Sequence, residues 1–134
     1  MNISCFYTDD VKVFLLNICR KIIKERKKTL FIFQNLEQLD FFDNEVWKFD
    51  FLPHCKIDSE LRSDSFAIFV TQEEFLAVKL DEFESILFCY QVEERILKNI
   101  ETKTAIVLTD FEHKYDKIEV RYFKKNNTNW ELAI

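Results

Sequence analysis

The sequence predicts an α/β domain with a mostly parallel sheet covered by helices on both faces. Three observations predict it. Short, wholly apolar runs such as the TLFIF of Thr29–Phe33 have the length of a strand, and a strand with no polar side suits burial on both faces. Between these runs lie segments with apolar residues at three- and four-residue steps, the helical period. The two kinds alternate along nearly the whole chain, as in right-handed βαβ units. The 134 residues allow one domain, spanning 1–134. A domain of that size buries roughly 68–70% of its unfolded surface, enough for a core without metal or disulfide staples.

Taken in order, residues 3–8 are a short apolar and aromatic run, read as a strand. Asp9 or Asp10 can cap the helix that follows, in which Val11, Phe14, Leu15, Ile18, Ile22 and Ile23 recur on one face. The basic run Lys21, Lys24, Arg26, Lys27 and Lys28 closes that helix, where cations suit the dipole. Thr29–Phe33 is the second strand. Asn35 then caps a second helix carrying Leu36, Leu39, Phe42, Val46 and Trp47 inward. Pro53 disfavours helix at Leu52, so residues 51–54 are extended or turning. Residues 66–70 and 86–90 are further buried strands, and 73–82 is a loop with a helical or edge-strand piece. A helix over 93–101 turns Ile96, Leu97 and Ile100 inward. Residues 105–108 are another strand, and 110–125 read as a closing helix.

Composition narrows the function. The chain has 15 Phe, one Pro and no Gly. Phosphate-binding loops need Gly for close backbone approach, so a P-loop and a GxGxxG dinucleotide site are excluded, as is the Gly-x-Ser-x-Gly hydrolase elbow. Net charge is −5, whereas nucleic-acid binding normally leaves a basic footprint, so strong direct contact with nucleic acid is not expected. Cys5, Cys19, Cys55 and Cys89 form no CxxC pair, and His54 and His113 are far apart, so zinc spacing is absent and no cofactor is expected. Reduced thiols buried as small hydrophobes, in a cytoplasmic protein, are the default. Asp9, Asp10 and Lys12 interrupt the early apolar run, which argues against a secretory signal, and no apolar stretch approaches the ~20 residues of a membrane span.

Catalytic readings are thin. Cys55 adjoins His54, but neighbours in an extended segment point to opposite sides, so they do not pair as nucleophile and base. A small metal-dependent nuclease is the better enzymatic alternative. It needs clustered carboxylates with a nearby Lys, and Glu112-His113-Lys114 and Glu45 with Lys48 approach that spelling. The plainer reading of both is a solvated charged face.

The most informative stretch is 42–54, FDNEVWKFDFLPH. It is an amphipathic helix end carrying Trp47, followed within a few residues by Phe49, Phe51, Leu52, Pro53 and His54. So much aromatic surface beside a Pro-fixed turn suits either a core or an exposed anchor patch. It resembles the signature of the chi subunit of bacterial DNA polymerase III, an L-D-E-x-L-W helix followed by F-x-P-H. Phe42, Asp43, Asn44, Val46 and Trp47 stand at the first motif, and Phe51, Pro53 and His54 at the second. The order of elements agrees along nearly the whole chain, to a final helix ending at Tyr122, Trp130 and Leu132.

The resemblance implies a non-catalytic accessory subunit of the polymerase III clamp loader, working in DNA replication with a Rossmann-like fold and no nucleotide site. It implies docking of a psi subunit, or a competing helicase, on Trp47, Phe51, Pro53 and His54. It also implies capture of the acidic C-terminal tail of single-stranded-DNA-binding protein in a pocket on the last helix. Here that pocket would comprise Leu108, Arg121, Tyr122, Lys124 and Lys125, with Glu119 and Phe123 where basic residues are expected. Chi-like chains carry Gly after the first and last helices; Lys27 and Asn129 stand at about those points. An α/β adaptor unrelated to replication is the third reading.

Overall fold

The fold is seen in a computed structural model that describes residues 2–50, 54–56, 65–100, 104–126 and 129–132, with the backbone alone for 2, 46–50, 125, 126 and 129–132. Its elements are β1 (Asn2–Tyr7), α1 (Val11–Glu25), β2 (Thr29–Phe33), α2 (Leu36–Asp50), β3 (His54–Lys56) and β4 (Ala67–Thr71), then α3 (Gln72–Phe75), β5 (Ser85–Phe88), α4 (Glu94–Asn99), β6 (Thr104–Thr109), β7 (Arg121–Asn126) and β8 (Asn129–Leu132). The eight described strands form one sheet in the order β3-β4-β2-β5-β6-β1-β7-β8. Seven run parallel, and β8 pairs antiparallel with β7 at one edge. The expected α/β, three-layer architecture is thus present.

The continuous apolar strands behave as their composition requires. Every residue of β2 and of β4 is buried. Side chains alternate between two cores, because successive residues of a strand face opposite ways. Phe31, Phe33, Phe69, Leu87 and Leu108 pack beneath Leu15, Cys19 and Ile22 of α1 and Leu39 and Phe42 of α2. Leu30, Ile32, Ile68, Ile86, Phe88 and Val107 face the other way, toward Phe75 of α3 and Leu97 of α4. Phenylalanines carry much of the first core: Phe33 lies 4.9 Å from Phe69 and 5.5 Å from Phe42, centroid to centroid.

The helix starts follow local chemistry. The Asp10 carboxylate accepts from the Val13 N–H at 3.4 Å, and Asn35 accepts from Gln38 at 2.8 Å. Thr71 and Glu74 form a reciprocal capping box on α3. Leu36 departs from expectation. It occupies the first helical position, past the end of β2, and is 59% exposed rather than turned inward.

Two further expectations are corrected. The left-handed residue closing α1 is Arg26, at φ 57°, not Lys27; its N–H reaches the carbonyls of Ile22 and Ile23. The larger correction concerns 110–125, where no closing helix forms. Residues 110–120 are irregular and β7 follows as a strand. Tyr115, Ile118 and Tyr122 are spaced as on a helix face, yet all pack on the same core from a loop and a strand. The open edge of β1 decides the matter. It pairs with β7 from Ser4↔Arg121 to Tyr7↔Lys124, so backbone groups that a helix would satisfy internally are satisfied by the sheet. Tyr122 then lies against Tyr7 on one face, and Phe123 stacks 4.9 Å from Phe6 on the other. Asn129 opens β8 rather than ending a helix.

Candidate functional site

The described residues of the 42–54 segment, the end of α2 and the start of β3, sit at one edge of the sheet. Phe42 is buried against Phe33 and anchors α2 to the core. Asp43, the next residue, turns toward β3. There the His54 ring, with no exposed side-chain surface, lies 4.8 Å from the Phe69 ring, and its Nε2–H donates to Asp43 Oδ1 at 2.5 Å. The two halves of the motif are therefore clamped together by one charge-assisted hydrogen bond. One turn before it, Lys56 on β3 meets Asp40 on α2 at 3.2 Å, an exposed pair that adds little. Trp47 lies on α2 one turn beyond Asp43, while Phe51 and Pro53 fall outside the described residues. Of the expected docking residues, His54 is thus inside: it sets the geometry of this edge and does not present a surface.

The other candidate residues are divided by the sheet. Leu108 is fully buried on the α1/α2 side, whereas Tyr122 packs on the α3/α4 side. The expected single pocket holding both is not formed, because β6 and β7 direct these two side chains to opposite faces. Phe123 stacks on Phe6, away from Tyr122. What does assemble is an aromatic surface flanked by cations. Tyr122 is half-buried; its hydroxyl accepts from the Tyr115 N–H at 2.8 Å, and the Lys114 ammonium stands 5.6 Å above its ring. Lys124, two residues on and so on the same face of β7, is exposed and held 2.7 Å from Glu112. That contact raises the Lys124 pKa and lowers that of Glu112. Arg121 and Glu119 are exposed, and Lys125 continues β7. Lys114 was not foreseen here, since a helix over 110–125 places it elsewhere; the apolar–polar alternation of 118–122 is the signal for a strand instead.

Residues 1–125 match the protein family described as DNA polymerase III chi subunit, HolC. The chain belongs to this chi family. No individual curated protein matches it. As a chi-family chain it is an accessory subunit of DNA polymerase III, and the match spans both the clamped motif and most of β7.

The remaining reactive side chains of this chi-family chain are buried or paired apart from one another. All four cysteines are free and buried. Burial pushes the Cys5 and Cys19 thiols up to about 12 and Cys89 well above its ordinary value. The residues of the nuclease spelling are engaged separately, Glu112 with Lys124 and Glu45 with Lys12 at 3.7 Å. Among the described residues no three of His, Cys, Asp and Glu converge as a metal-holding group. No described helix is long and apolar enough to cross a membrane.

Proposed function

We propose that this chain acts without a catalytic centre of its own, as a bridge in the clamp-loader assembly of polymerase III. The α2/β3 edge, through Trp47, Phe51 and Pro53, docks a psi-like subunit. The β7 surface, with Tyr122, Lys114 and Lys124, takes the acidic C-terminal tail of single-stranded-DNA-binding protein. One observation carries the reading. The clamped motif lies at β3 and the aromatic–cation surface at β7, six strand spacings apart in one sheet, which is roughly 30 Å at ~4.8 Å per strand. Two partners can be held at once without touching, as a bridge requires. A tail bearing carboxylates and an aromatic needs an apolar surface beside cations, and Tyr122 between Lys114 and Lys124 supplies that pattern.

The test is a titration of the full chain with a labelled peptide of the host's own tail sequence, with and without a co-expressed psi-like chain. Binding in the micromolar range is expected, weakening with salt. Glu112→Gln, which releases Lys124, should tighten it about two- to threefold, and Lys114→Ala with Lys124→Ala should weaken it. Trp47→Ala should abolish co-purification of the psi-like chain while tail affinity stays unchanged. Loss of both activities together in a folded Trp47→Ala protein would sink the bridge.

A further inference from the structure

The carboxyl ends of β2, β5 and β6 open into a crevice of about 510 Å³ between the first turns of α1 and α2. Its floor is packed core, Leu108, Phe42 and Cys89. The crevice continues in both directions. Through Gln38 and Phe42 it joins a depression along α2 that reaches Glu37 and Phe41. Through Asp110 and Phe111 it joins another that reaches Asp9 and Glu112. Phe41 and Phe111, 51% and 49% exposed, flank the resulting groove. Large apolar side chains left half-exposed around a groove are typical anchors for a partner.

Charge specifies the partner. This position, outside the carboxyl ends of parallel strands, is where open α/β sheets take ligands, and the N-terminal dipoles of α1 and α2 would favour an anion there. Both dipoles are already answered within the chain. Asp10 caps α1, Glu37 sits in the first turn of α2, and no glycine permits backbone N–H groups to close on a phosphate. Four carboxylates line the groove, Asp9, Glu37, Asp110 and Glu112, against one lining cation, Lys124, which is held by Glu112. Asp9, Glu37 and Asp110 meet no cation among the described residues.

We propose that this groove docks a basic amphipathic segment of a partner protein. An aromatic or aliphatic side chain of that segment seats between Phe41 and Phe111, and its Lys or Arg residues meet Asp9, Glu37 and Asp110. The site abuts the Tyr122 surface at Glu112, but the two are opposite in sign, and the groove does not depend on the tail-binding proposal.

A labelled twelve-residue peptide alternating Lys with Leu and Phe tests it, beside a counterpart with Glu at every Lys, by anisotropy and by amide-shift mapping on the full chain. The Lys peptide should bind at least about tenfold tighter than the Glu peptide and shift the amides of Gln34, Gln91, Asp110 and Phe111. Asp110→Asn with Phe111→Ser should weaken it about fivefold with the circular dichroism unchanged, and Phe41→Ser on the other rim should weaken it independently. Asp81→Asn, an exposed acid outside the groove, should leave it unchanged. Shifts scattered over the acidic surface, equal weakening by Asp81→Asn, or preference for the Glu peptide overturns the proposal.

Discussion

Replacing Asp43 with Ala tests whether one hydrogen bond holds the α2/β3 edge in shape. His54 has no exposed side-chain surface, Asp43 is 26% exposed, and their Nε2···Oδ1 separation is 2.5 Å. Without the carboxylate, the ring N–H is left buried with no acceptor at that position, and a stranded buried donor costs about 1–3 kcal/mol. Water has some access from the Asp43 side, so the lower part of that range applies, about 1–2 kcal/mol. For a domain of this length each kcal/mol moves Tm by roughly 3–5 °C. Asp43→Ala should therefore melt about 3–10 °C lower, with the urea midpoint reduced and the m-value unchanged. The second arm is His54→Leu, which keeps apolar contact with Phe69 and removes the donor. In that background Asp43→Ala should cost about 1 kcal/mol less, the coupling of the pair. Capture of the psi-like chain should fall in Asp43→Ala while tail affinity is retained. A change below about 0.3 kcal/mol, or an equal cost in both backgrounds, would refute the clamp.

Three further outcomes follow from the same structure. Arg26→Gly should stabilise the protein by about 0.5–1 kcal/mol in urea denaturation, because a non-glycine residue in the left-handed region costs ~1–2 kcal/mol and glycine gives part of that back as unfolded-state entropy; a destabilised variant contradicts this. His113 sits among Tyr7, Phe111 and Tyr115 with both ring nitrogens buried and unpartnered, and burial lowers its pKa from 6.5. Its contribution to stability is present above the unfolded value near 6.5 and is lost as pH falls through the lower folded value, so His113→Phe should flatten stability between pH 7 and 5. The buried thiols act in the opposite direction: with Cys5 and Cys19 raised from 9.0 to about 12, their contribution is full below pH 9 and is lost as pH rises toward 12. Native protein at pH 8.5 should accordingly show slow labelling of both by a thiol reagent, and labelling of either at free-thiol rates would count against their burial.

Much of the architecture was legible because burial leaves its mark on residue order. Thr29–Phe33 can only be a strand hidden on both faces, and the three- and four-step apolar pattern from Val11 to Ile22 can only seat a helix on one. Capping chemistry is equally local, so Asp10 and Asn35 mark their helix starts. The family motif was legible as well, from Phe42, Asp43, Trp47, Pro53 and His54. The roles of its parts were not. Nothing local marks His54 rather than Asp43 as the hidden residue until the fold brings α2 and β3 together, and then the histidine proves to be the buried member of the pair.

The closing segment shows the division most sharply. Residues 110–125 carry both a helical spacing, through Tyr115, Ile118 and Tyr122, and a strand alternation, through 118–122; composition alone does not choose between them. The choice belongs to β1, at the other end of the chain, whose unpaired edge supplies hydrogen-bond partners that no local pattern can announce. The sequence by itself determined which segments must be hidden, which helices begin where, and that no phosphate loop can form. Tertiary structure alone decided that Leu108 and Tyr122 lie on opposite faces, that Lys114 joins Tyr122, and that an acidic groove opens between α1 and α2. Those outcomes depend on which strands are neighbours, and that is settled by hydrogen bonding and packing between residues far apart in the chain.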